Sequence, residues 1–298
     1  MAVWFVTGAS RGLGRALVDA VVERGDQAVA AVRDPESYAI ERAHSKAVFP
    51  IRLDITDSDS IRAATEEALE RFGEVDMLVN NATRVLVKPL LATRESEVRQ
   101  LFDVNVFGLL ALIRALLPSL RAQHRSAIVN ISSAGGFAAM YGLGVYAATK
   151  FAVEAISEAL AIELAGTGVK VHIAEPGIFR SEFLDPNSNA LVSSNALVNA
   201  ASAGRRTRTL YGSGPGFPSD DATKNAFHAG DPRKAATAIT AAVTSAHPPF
   251  RLQLGEDSLE WVEQKLAFVQ EELDIWRPVS MSTGFGAAPV PGTELKDR

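Results

Sequence analysis

Tyr146 and Lys150 stand four residues apart in Tyr146-Ala147-Ala148-Thr149-Lys150, and Ser133 lies upstream in Asn130-Ile131-Ser132-Ser133. A tyrosine and a lysine at this spacing share one face of a helix. The ammonium favours the phenolate, so the pair predicts a tyrosine pKa lowered toward working pH. Tyr146 is then a candidate proton donor and acceptor. A hydroxyl brought nearby by the fold, as Ser133 is expected to be, can hydrogen-bond a carbonyl oxygen while the tyrosine passes a proton to it. The chemistry these groups suit is the interconversion of ketones and alcohols.

A second set of residues suits a nucleotide. Gly8, Gly12 and Gly14, in Thr7-Gly8-Ala9-Ser10-Arg11-Gly12-Leu13-Gly14, lie between a strand pattern and a helix pattern. Backbone can there approach a pyrophosphate, with helix N-terminal amides aimed at it. At the end of the next strand pattern, where an acidic residue usually meets the ribose of an unphosphorylated dinucleotide, the chain has Val32-Arg33. Arg33, with Arg11 closing from the other side, suits a 2′-phosphate and favours NADP(H); Asp34, one step later, is expected to point away or cap a turn. The competing reading is that both arginines are solvated surface charges.

The elements that must carry these groups alternate. Apolar runs at Val3–Val6, Gln27–Val32, Val48–Leu53, Met77–Val79, Ala127–Ile131 and Val169–Ile173 read as strands, each separated from the next by helical sequence. Continuous apolar strands alternating with helices predict an α/β chain with a doubly wound parallel sheet, a three-layer Rossmann fold. Residues 1–183 form its core. Residues 184–230, rich in Asn, Ser, Ala and Gly, read as a substrate lid or a disordered tether, with the lid favoured. Residues 231–277 supply a helix opened by Asp231-Pro232, a last strand at Phe250–Gly255 and a closing helix from Ser258 to Leu273. Residues 278–298 read as an irregular tail.

From Val3 to about Phe183 the chain resembles the short-chain dehydrogenase/reductase (SDR) family. The resemblance rests on the glycine cluster, Asp54-Ile55, Asn80-Asn81-Ala82, Asn105, Ser133, Tyr146 with Lys150, and Pro176-Gly177, in the family's order. It implies Tyr146 as general acid in reduction and general base in oxidation, and Ser133 as the group that orients the substrate oxygen. Lys150 would hold the nicotinamide ribose and lower the tyrosine pKa. Asn105 would bind a water linking Lys150 to solvent. The cofactor cradle would comprise Gly8, Ser10, Arg11, Gly12, Leu13, Gly14 and Arg33, with Asp54 and Ile55 at the adenine and Asn81 and Ala82 beside its ribose. Pro176, Gly177, Ile178 and Ser181 would face the nicotinamide carboxamide, Ile178 through its backbone. The family usually has Asn-Asn-Ala-Gly where this chain has Asn80-Asn81-Ala82-Thr83, and threonine disfavours positive φ, so slightly altered cofactor packing is expected.

Composition excludes several other classes. A net charge of −5 without a Lys/Arg block argues against nucleic acid. No cysteine is present, and five scattered histidines offer no paired metal spacing. Met1 to Val6 runs straight into the glycine loop, and the apolar stretch Val104–Leu117 is interrupted by Asn105 and Arg114 and closed by Pro118. A cytoplasmic protein without membrane partners, acting as a homodimer or homotetramer, is the expectation. The leading functional reading is NADPH-dependent reduction of a medium or bulky apolar ketone. Phe137, Met140, Tyr141 and Phe183 are candidates to line an apolar pocket. An NAD-dependent secondary-alcohol dehydrogenase and a non-catalytic dinucleotide-sensing regulator are the alternatives; the sensor would have no need of the proton-transfer set.

Overall fold

The computed structural model of the chain describes residues 1–40, 46–123, 125–179, 191–192 and 230–285. The strands are β1 (Val3–Thr7), β2 (Gln27–Val32), β3 (Val48–Arg52), β4 (Met77–Asn80), β5 (Leu86–Val87), β6 (Ser126–Ile131), β7 (Val169–Pro176), β8 (Leu191–Val192) and β9 (Arg251–Leu254). The helices are α1 (Gly12–Glu23), α2 (Ser58–Phe72), α3 (Glu95–Phe102), α4 (Leu109–Ala122), α5 (Gly144–Glu163), α6 (Pro232–Val243) and α7 (Glu256–Met281). Seven strands form one parallel sheet in the order β3-β2-β1-β4-β6-β7-β9. β1 pairs with β2 from Val3↔Gln27 to Thr7↔Ala31 and with β4 from Trp4↔Met77 to Val6↔Val79. The chain is a doubly wound Rossmann-type domain.

Side-chain alternation explains why the strands are apolar throughout. From β1, Trp4 and Val6 point to one face, where they meet Leu17 and Val21 of α1 and Ile239 and Val243 of α6. Val3 and Phe5 point to the other, against Ile61 of α2, Leu112 and Leu116 of α4 and Val153 of α5. Helix ends follow local chemistry. Asp57 accepts from the Asp59 amide at the start of α2, and Gly73, at φ 77°, closes the helix with its amide on Leu69 O. Asp231 accepts from the Arg233 amide ahead of α6, with Pro232 in its first turn.

Three departures from the sequence expectation have local causes. α3 continues through a π-helical turn, Asp103–Gly108, into α4, so a single helical run spans Glu95–Ala122. By length and apolarity that run passes for a membrane span, but Leu109, Leu112, Ile113, Leu116 and Leu120 are buried against the sheet. Pro118 does not close α4, which runs on to Ala122. Likewise the last helix passes Leu273 and Pro278 and ends at Met281, so the first residues of the segment expected to be an irregular tail are helical, and residues 286–298 lie outside the described residues; a proline removes one amide donor, which one end turn can tolerate.

The expected lid lies outside the described residues apart from Leu191–Val192 and Gly230. Its flanks are placed. Phe179 bridges Gly230, whose amide donates to Ile178 O at 2.9 Å. β8 pairs with β5 through Leu86↔Leu191 and Val87↔Val192.

Candidate active site

The sheet's switch point, between β1 and β4, opens a cavity of about 460 Å³ at the carboxyl ends of the strands. Gly8, Ser10, Arg11, Gly12, Leu13 and Gly14 line it from one side. Two of these glycines are required by packing. A Cβ on Gly14 would overlap the Gly8 carbonyl, and Gly8 has φ 64° with Ala82 Cα at 2.9 Å from where its Cβ would lie. Arg11 precedes α1 without a side-chain cap, and the first turn of α1 has no acidic residue. This positive helix end faces the cavity and suits an anion.

Arg33 lies at the end of β2, exposed and on the cavity wall, while Asp34 is exposed and does not line it. The Asp54 carboxylate also lines the cavity and accepts from the Thr56 amide and hydroxyl at 2.9 and 2.7 Å; these bonds, with Arg33 and Arg52 nearby, hold it below the usual carboxylate range. Ile55, Asn81, Ala82, Ser133, Tyr146, Lys150, Pro176, Gly177 and Ile178 complete the set expected on this wall. Ser181 is outside the described residues.

Thr7 organises this wall, a role its sequence position did not reveal. Its hydroxyl is fully buried, accepts from the Asn81 and Ala82 amides at 2.9 and 2.8 Å, and donates to Val79 O at 3.3 Å. Asn81 Nδ2 returns to Thr7 O at 2.9 Å and Gly8 O at 3.3 Å. Deeper in, Asn80 Nδ2 donates to Asn130 Oδ1 and Asn130 Nδ2 to Ser157 Oγ, each at 2.8 Å, joining β4, β6 and α5. These links fix the helix that carries Tyr146 relative to the glycine loop.

Ser133 hydrogen-bonds Tyr146 and also accepts from the Gly135 amide at 3.0 Å. Ser132 faces away from the phenol, its hydroxyl beside Gly136 and Glu154. The lowered tyrosine pKa expected from the sequence is not found. Burial pushes Tyr146 up to about 12, with the Ser133 hydrogen bond opposing it. Lys150 Nζ instead donates to Ile131 O at 2.7 Å and lies 5.8 Å from the Tyr146 ring centroid. Its own burial pulls Lys150 down to about 8, opposed by the charge of Glu154.

Asn105 is buried in the π-helical turn and does not line the cavity. Its Nδ2 donates to Arg84 O and Thr149 Oγ1, both at 2.9 Å, and its Oδ1 accepts from the Arg84 amide at 2.8 Å and from Thr83 Oγ1 at 3.2 Å. The side-chain amide is therefore committed to protein partners, and any water link at this position falls to the main chain. Thr83 causes no backbone strain: no described non-glycine residue has positive φ. Its hydroxyl joins the Asn105 network.

The Ile178 backbone also differs from expectation. Its amide donates to Asp257 Oδ2 at 2.6 Å and its carbonyl accepts from Gly230, so both groups meant for a carboxamide are engaged by protein. Asp257 opens α7, and the same helix sends Trp261 into the cavity wall beside Met140. Nothing local in the sequence marked Asp257 or Trp261, because the Ile178–Asp257 contact crosses 79 residues. Of the aromatic pocket candidates, Tyr141 is exposed, Phe137 packs under Lys265, and Phe183 lies outside the described residues; Met140 alone lines the cavity. Among the described residues no group of three or more His, Cys, Asp and Glu is placed to hold a metal.

Comparison with known proteins agrees with this geometry. The short chain dehydrogenase family model matches residues 2–191. An oxidoreductase of Botryotinia fuckeliana is 28% identical, with 94% of this chain and 98% of the relative covered. A short-chain dehydrogenase structure from Streptomyces avermitilis is 37% identical with a TM-score of 0.81, covering 95% of this chain and 98% of that one. A short chain dehydrogenase from Burkholderia cenocepacia, solved in complex with NADP, is 25% identical with a TM-score of 0.69, covering 92% and 96%. The chain belongs to the short chain dehydrogenase family and is an oxidoreductase of that family.

Proposed function

We propose that the protein uses NADPH to reduce the ketone of a medium or bulky apolar substrate, and that it catalyses the reverse oxidation of the secondary alcohol. The observation that carries the reading is the convergence of Ser133, Tyr146 and Lys150 on the cavity that the glycine loop also lines. When bound, NADP(H) supplies or accepts the hydride at the substrate carbon. Ser133 orients the substrate oxygen. Tyr146, held protonated by its buried setting, donates a proton to that oxygen during reduction. Lys150 holds the ribose side of the nucleotide and keeps a positive charge under the phenol.

Arg11 and Arg33 support the phosphorylated cofactor, since guanidinium groups suit phosphate and no acidic side chain occupies the end of β2. The Burkholderia relative was solved with NADP. An apolar substrate is supported by Val85, Met140, Leu143, Ile178, Phe179 and Trp261 on the wall around Tyr146. Phe179, on that wall, bridges Gly230, and this pairing supports reading the segment between them as a substrate lid.

The test is nicotinamide absorbance with purified protein, NADPH or NADH, and a graded panel of ketones. NADPH consumption that falls by about 10²-fold or more in Tyr146→Phe, with NADPH binding kept, is the expected result. Turnover unchanged in Tyr146→Phe would remove the proton-donor assignment. Nucleotide binding without turnover of any ketone would favour the sensor.

A further inference from the structure

Behind Lys150, on the side away from the cavity, lies a group of charges that the chemistry above does not use. Glu154, one helical turn after Lys150 on α5, is buried, as is Glu175 of β7. Arg251 of β9 bridges both and also reaches Glu158; its contact with Glu175 is 3.0 Å. Gln253 Nε2 donates to the other Glu175 oxygen at 3.0 Å. Three carboxylates therefore meet one guanidinium. Burying charge without an opposite partner is costly, and Lys150 is the second cation within one turn.

The local packing brings the two together. Gly136 is flanked by Lys150, Ser132 and Glu154: a Cβ there would sit 3.1 Å from Lys150 Cβ and 3.2 Å from Glu154 Oε1, and would overlap the Ser132 hydroxyl. A side chain at 136 would push these groups apart. Arg251 engages Glu154 Oε2, while Oε1 is buried on the side facing Ser132 and Gly136.

We infer that Glu154 is a positioning residue for the proposed reaction: its buried carboxylate, pinned by Arg251, keeps Lys150 in its ammonium form beneath Tyr146. This rests on the reading of Tyr146 and Lys150 as the proton-transfer pair. Among the described residues the charged and titratable groups facing Lys150 are Tyr146 and Glu154 on its own helix, while β6 contributes the Ile131 carbonyl and the turn after it the Ser132 and Ser133 hydroxyls. Glu154 is faced by Arg251, Glu175 and Glu158: burial and Glu175 push its pKa up, while the Ser132 hydroxyl and Arg251 favour the carboxylate. Burial pulls Lys150 down and Glu154 opposes it, so removing the carboxylate leaves burial unopposed. Reduction then fails at lower pH, as the ammonium is lost earlier.

The experiment is the pH profile of kcat for NADPH-dependent reduction in wild type, Glu154→Gln and Glu175→Gln. Glu154→Gln is expected to move the falling alkaline limb down by about one to two pH units, a tenfold or greater loss at pH 8.5, with little change at pH 6. Glu175→Gln, which removes a charge from the same group without facing Lys150, leaves the limb in place. An unmoved limb in folded Glu154→Gln, or an equal shift in both variants, overturns the inference. Should Glu154→Gln not fold, Glu154→Asp decides: the limb stays near wild type if charge is what matters, and a shift of a full unit or more overturns it. Tyr146→Phe separates the two levels, since full activity in that variant sinks the proton-transfer reading itself, whatever Glu154 does.

Discussion

Thr7 offers the sharpest test of how the cofactor wall is built. Replacing it with valine keeps shape and volume and removes only the hydroxyl. The Ala82 amide loses its acceptor, the Asn81 amide is left with Val79 O alone at 3.1 Å, and Val79 O loses a donor. An unsatisfied buried polar group costs about 1–3 kcal/mol, and the turn relaxes in part, so Thr7→Val is expected to cost about 2–4 kcal/mol. Against a total stability of about 5–15 kcal/mol this is a large share. Thr7→Ser keeps the hydroxyl and loses one methyl, about 1 kcal/mol. Urea unfolding of the three proteins gives the difference directly, and thermal melting should show Thr7→Val lower by about 4–12 °C. Because Asn81 also holds the Gly8 carbonyl, added NADPH should raise the melting temperature of Thr7→Val less than that of wild type. If Thr7→Val lies within 1 kcal/mol of Thr7→Ser, the hydroxyl is not what joins β1 to the turn after β4.

Two other outcomes are expected. Arg33→Asp should lower kcat/KM for NADPH by about 10- to 100-fold, the worth of one charge-assisted contact to phosphate, and spare or improve NADH; unchanged selectivity would return Arg33 to a solvated surface charge. His172 is buried and its pKa is lowered, chiefly by burial, while Nδ1 sits 2.7 Å from Pro249 O. Its folded pKa is below the unfolded 6.5, so the unfolded chain binds the extra proton first. Stability is then full above pH 6.5 and declines as pH falls below it. Urea midpoints at pH 5 and 7.5 measure the decline, which should be smaller in His172→Gln.

What was legible in the sequence is what is local in the chain. The glycine loop, the Tyr146–Lys150 spacing and the seven apolar strands each depend on neighbours within one element, so residue type and period reveal them. The catalytic environment was not local. The Tyr146 pKa follows from how fully the fold buries it, which outweighs the neighbouring lysine. Lys150 is drawn to Ile131, a β6 carbonyl that no spacing rule identifies. Asp257 and Trp261 reach the cavity from the last helix, and Thr83 became an Asn105 partner only once the π-helical turn set their separation. Proline misled at Pro118 and Pro278 because a helix already anchored by packing tolerates one missing donor.

The strand order also bears on how the chain is made. β1, the first of the sheet's seven strands to be made, lies in the middle of the sheet. One edge is satisfied early by β2, but the other waits for Met77–Val79, and β4 in turn waits for β6. A nascent chain therefore holds an unpaired apolar edge through the synthesis of α2, an interval in which chaperone binding or mispairing competes with folding. The cavity is lined by Gly8 from the first strand–helix unit and by Trp261 from α7, so it is complete only once α7 has been made. A product truncated before α7 would carry the whole glycine loop and still lack one wall of the site.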